Sequence, residues 1–112
     1  MTFGFIDKSN CTHRTIFPGV EIYTAAGNEM MLSLVEFQPG AVVEAHSHPH
    51  EQVGTVLSGR ARFILGENGD EERILGPGDM YIIPGGTTHK VVALEEGATA
   101  LDVFHPIRED YL

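Results

Sequence analysis

The chain has 112 residues, 42% of them hydrophobic, which is enough for one core and fits a single domain over residues 1–112. Sixteen acidic against seven basic residues give a net charge of −9 and argue against nucleic acid or an anionic membrane as partner, since both need basic patches. The single cysteine, Cys11, excludes an internal disulfide, and no apolar run reaches membrane-spanning length.

In chain order, the opening MTFGFIDKSN lacks a basic region followed by an apolar stretch, so no signal peptide is expected and a reduced cytoplasmic setting fits. Helical periodicity is almost absent. Short β-prone runs recur along the whole length. Thr15 to Phe17 and Glu21 to Ala25 read as the first strands, split by Pro18-Gly19, and Ala26-Gly27-Asn28 reads as a turn. Met30 to Phe37 is a mostly apolar strand that turns at Gln38-Pro39-Gly40. Val42 to His48 follows, then Val53 to Leu57, a turn at Ser58-Gly59, and Ala61 to Leu65. The polar loop Gly66 to Asp70 connects to Glu71 to Leu75. Gly76-Pro77-Gly78-Asp79 turns tightly into Met80 to Ile83, with Ile82 and Ile83 expected in the core, and Pro84-Gly85-Gly86 ends that run. His89 to Leu94 and Ala98 to Phe104, joined by Glu95-Glu96-Gly97, complete about ten strands, the pattern of an all-β sandwich or barrel. The tail His105 to Leu112 is a strand extension or a short helical turn, with Pro106 opposing a helix before it.

Chemistry gathers in Pro39 to Gly59, PGAVVEAHSHPHEQVGTVLSG. His46 and His48 are two apart, so in a strand both rings point to one face. Gln52 follows four residues later. Two imidazoles and an amide oxygen converging from a β-framework make a divalent-metal site of the N/O type. His50 shares the parity of the pair and is read as a rim histidine. Glu51 has opposite parity and is read as an outward carboxylate. His13 and His105 are read as surface or loop residues. Near the other end, Asp102 and Phe104 share one strand face, with Leu101 and Val103 on the other. Asp102 either points into the cavity or is an exposed strand charge. Arg108 follows a proline turn. It either folds over a cavity mouth or forms a surface ion pair with Glu109 or Asp110.

Two stretches together resemble the motifs of the cupin superfamily. The first has Gly40, His46, His48, Gln52 and Gly59, with Gln52 where glutamate is usual. The second has Gly78, Pro84, Gly86 and His89. The resemblance implies a double-stranded β-helix (jelly-roll) barrel of two antiparallel sheets. It also implies one divalent metal ion (nickel, zinc, iron or manganese) held by His46, His48, Gln52 and His89. The tail LDVFHPIREDYL is similar to that of the KdgF-type cupins of pectin and alginate breakdown, through Asp102, Phe104, Arg108 and Glu109-Asp110-Tyr111. That family's first motif also carries glutamine as third ligand. This likeness implies ketonisation of 4,5-unsaturated uronates to linear 5-keto sugar acids. Asp102 would then be the general acid/base, Arg108 the clamp on the uronate carboxylate and Phe104 a platform for the sugar face. The alternatives are an iron-dependent dioxygenase acting on a small substrate and a non-catalytic barrel that binds a sugar or effector. A homodimer is expected, with Thr2 to Phe5 as a candidate exchanged strand.

Overall fold

Along Met31–Phe37 alternate side chains are buried: Met31, Ser33, Val35 and Phe37 face inward. That period of two recurs in the other inner strands and sets one face of each toward a shared core. The fold is seen in a computed structural model that describes residues 4–112. Its strands are β1 (Thr12–Phe17), β2 (Val20–Ala26), β3 (Met31–Phe37), β4 (Val42–His46), β5 (Glu51–Leu65), β6 (Glu71–Leu75), β7 (Met80–Ile83) and β8 (His89–His105). Short 3-10 turns lie at Lys8–Asn10 and Glu109–Tyr111.

Every pairing is antiparallel. The register separates two layers. The early part of β5 and the late part of β8 pair with each other and carry β7 on one side and β3, β2 and β1 on the other. The late part of β5 and the early part of β8 pair again and carry β6 and β4. Both long strands therefore cross from one layer to the other, and the expected all-β barrel of two antiparallel sheets results. Ile22, Val35, Val56, Phe63, Ile83 and Val91 fill the space between the layers.

Two expected turns are absent. Ser58-Gly59 and Glu95-Glu96-Gly97 lie inside continuous strands, so eight strands replace the expected ten. The glycines signal bends in the ladder instead: the β5–β8 register shifts between Val56 and Ser58 and again between Gly59 and Ala61. Ile82 also departs from expectation. It is 68% exposed while Ile83 is buried, because neighbouring residues on a strand point to opposite faces. Among the described residues no helix is long and apolar enough to cross a membrane. Thr2 and Phe3 of the expected exchanged strand lie outside the described residues; Gly4 and Phe5 are exposed.

Candidate metal centre

His46 ends β4, and its register partner across the ladder is His89, the first residue of β8. His48 follows in the turn that leads into β5. The three rings converge: one nitrogen from each of His46, His48 and His89 lies within 4.8 Å of the others. The same backbone device orients all three. His46 Nδ1 meets the Glu44 carbonyl at 2.8 Å, His48 Nδ1 meets the His50 carbonyl at 3.1 Å and His89 Nδ1 meets the Thr87 carbonyl at 2.9 Å. A carbonyl only accepts, so each Nδ1 donates and each Nε2 keeps its lone pair. Burial first, then the Arg108 guanidinium and neighbouring His89, push the pKa of His48 down to about 4. Burial also lowers that of His89. Both rings are thus kept neutral, the state a metal requires.

Gln52 lies against this cluster. Its side chain is close enough to Asp102 to lower that carboxyl's pKa. Its Oε1 faces His48 and lies 3.1 Å from Nε2. Two lone-pair atoms are thereby aimed at each other. Such a pair is repulsive unless a cation lies between its members. Adjacent ligands on an ion with bonds of about 2.1 Å are separated by roughly 3 Å. The donor set fits a divalent ion of the N/O class, and no thiolate is near.

Beside the histidines is a small, partly open cavity of about 40 Å³. Asp102, Phe104 and Arg108 all line it together with His46, Gln52 and His89. Asp102 and Phe104 are buried, as their shared strand face allows. Burial raises the pKa of Asp102 to about 6, against the lowering effect of its hydrogen bonds from Tyr81 and Gln52 and of the Arg108 charge. Arg108 is 7% exposed, so it is no surface residue. It does form the alternative ion pair: Nε and Nη2 reach Asp110 at 3.3 and 2.8 Å, and Nη1 donates to Tyr111 Oη at 3.0 Å. Its guanidinium lies 4.0 Å from the Tyr111 ring centre and 5.2 Å from that of Phe104. Partial burial works against the charge of Asp110, and the adjacent guanidinium outweighs it and lowers that pKa.

Other expectations also find their places. His50 is half-buried, and its carbonyl rather than its ring serves His48. Glu51 and His105 are exposed, and exposed His13 stacks on Tyr23. Sequence reasoning missed Tyr81 and Gly54. They form one cross-strand row with Asp102: Tyr81 on β7 pairs with Gly54 on β5, which pairs with Asp102 on β8. The tyrosine hydroxyl donates to Asp102 Oδ1 across the glycine. A Cβ at Gly54 would overlap both oxygens, so the missing side chain is what lets them meet. The alternation in MYII signalled that Tyr81 is inward, but its partner depends on register.

Comparisons with known proteins bear on the family and the fold. The Cupin domain family matches residues 33–104. The pectin degradation protein KdgF of Dickeya dadantii is 36% identical over 86 residues, covering 76% of each chain. The structure of KdgF from Halomonas sp. superposes with a TM-score of 0.87 at 34% identity, over 99% of this chain and 100% of that one. The oxalate decarboxylase OxdC of Bacillus subtilis is 35% identical over 72 residues, 62% of this chain but only 19% of that longer protein. A structure of that decarboxylase, described by its Mn(II) centres, aligns at a TM-score of 0.78 with 26% identity over 90% of this chain and 29% of that one.

Proposed function

The chain belongs to the cupin domain family, in its KdgF-like branch, and on that footing we propose that it converts 4,5-unsaturated uronates to linear 5-keto sugar acids. One observation carries the reading. A buried carboxyl, a buried guanidinium and two of the three clustered histidines, His46 and His89, line one cavity. The likeness to a pectin degradation protein supports the substrate class.

His46, His48, His89 and Gln52 would hold the ion. A divalent ion bound there supplies Lewis-acid stabilisation of negative charge developing on the sugar oxygens. The reaction is an isomerisation. The O1 proton leaves, the C1–O5 bond of the hemiacetal breaks, and C4 takes a proton while C5 becomes a ketone. Asp102 exchanges the proton, since a carboxyl with a pKa near 6 holds both states in useful amounts close to neutrality. Arg108 has five N–H donors. Three go to Asp110 and Tyr111, and the two left over take the uronate carboxylate. Phe104 packs against the sugar ring. The free thiol of Cys11 suits a cytoplasmic setting.

The test is the ultraviolet absorbance of unsaturated monomers from pectin and alginate, followed with and without chelator. Turnover is expected to consume the absorbance without oxygen uptake and to stop on chelation. Arg108→Ala is expected to lower kcat/KM by about a hundredfold, the loss of a charged bidentate contact. No loss of absorbance with any divalent metal, or full activity in that variant, refutes the assignment.

A further inference from the structure

Ser33 occupies the middle of β3, on the inward face between Met31 and Val35. It is 1% exposed, and among the described residues its Oγ has no hydrogen-bond partner. A hydroxyl buried without a partner is destabilising, and a methyl group in its place removes that penalty. Its neighbours in the row do have partners. Thr24, its register partner on β2, donates to the Tyr111 carbonyl at 3.3 Å. Asp102, its register partner on β8, accepts from Tyr81. That donor comes from β7, beyond β5 on the far side of β8 from Ser33. Ser33 Oγ is therefore left over on the near side of Asp102, and it lines the same cavity.

We infer that Ser33 is a substrate contact: its hydroxyl binds a ring hydroxyl of the sugar beside Asp102. A ring hydroxyl both donates and accepts, as serine does, so either direction of the bond satisfies both groups. The inference rests on the uronate reading of the cavity. It adds a group that selects polyhydroxylated ligands, distinct from the ion and from the carboxylate site at Arg108.

Ser33→Ala tests it in three measurements on the metal-loaded protein. Without sugar, the variant is expected to melt at the same temperature as the wild type or higher. A drop of several degrees would mean that Oγ is already satisfied within the fold, and would overturn the inference. With the unsaturated uronate, KM is expected to rise about tenfold while kcat stays within about twofold, the size of one hydrogen bond made equally in ground and transition states. Galacturonate, which has no double bond to react, is expected to bind about tenfold more weakly to the variant by calorimetry. If the wild type turns over the unsaturated sugar and the variant matches it in KM and in galacturonate affinity, the Ser33 contact is wrong and the ketonisation reading stands. If the wild type shows no turnover but binds galacturonate in a Ser33-dependent way, the contact stands and ketonisation fails. If the wild type binds neither sugar, both fail.

Discussion

Asp102 shows how one buried residue trades stability for chemistry. Its ordinary pKa is 3.8, and burial raises it to about 6 in the fold. Between those values the folded protein holds a proton that the unfolded chain releases. The stability this contributes is present below pH 4 and is lost as pH rises through 6. Asp102→Asn removes the dependence. In chelator-treated protein the variant is expected to gain on the order of 3 kcal/mol relative to wild type on going from pH 4 to pH 7. His48, lowered to about 4, shifts stability the other way with pH, but it does so in both proteins and cancels in the difference. Urea unfolding of both proteins at both pH values measures this; an equal gap at the two pH values would contradict a raised Asp102. At this scale the histidine cluster was legible, because parity and spacing align His46 with His48 and the second motif supplies His89. Ser33, Gly54 and Tyr81 were not. Each matters only through a neighbour on another strand, and no spacing within one strand encodes that.

At the scale of elements, β5 and β8 hold the barrel together by crossing between its layers. Where they cross, Gly59 has φ +69° and Gly97 has φ +73°. A Cβ on Gly59 would strike the Gly97 carbonyl and the Ala98 Cα. Gly59→Ala therefore combines a left-handed backbone penalty with a backbone clash, and is expected to cost about 3 kcal/mol or more. The readout is the urea midpoint at unchanged slope, and a loss below about 1 kcal/mol would exclude a tight crossing. This is also where the sequence misled. Glycine with positive φ marks a turn and a bulge alike, so Ser58-Gly59 and Glu95-Glu96-Gly97 read as chain reversals. The strands either side of those points were legible from their alternation. Their continuity was not, because it is decided by pairing with a distant strand.

For the whole molecule, the outward side of the larger layer carries a further consequence. Leu32, Val103, Val53 and Ile82 are register neighbours across four strands, and Leu34, Leu101, Thr55 and Met80 form the next such row. Ile82 and Met80 are 68% and 78% exposed, and neither row contains a charge. In a chain of net charge −9 this is the face on which two copies can meet without like-charge repulsion, and we propose that a homodimer forms there. Sedimentation is expected to give a dimer that Ile82→Asp with Val53→Asp converts to monomer; a wild-type monomer at micromolar concentration would rule it out.

His89 stands at the start of β8 and Asp102 and Phe104 near its end. Under the proposed function, the group that would grip the ion and the groups that would handle the sugar thus share one continuous strand. A disturbance along that strand therefore bears on both ends, whereas the loop from Gly66 to Asp70 lines no part of the cavity. Substitutions on that strand are thus expected to disturb ion and sugar handling together, and those in the walls beside it to alter sugar preference alone.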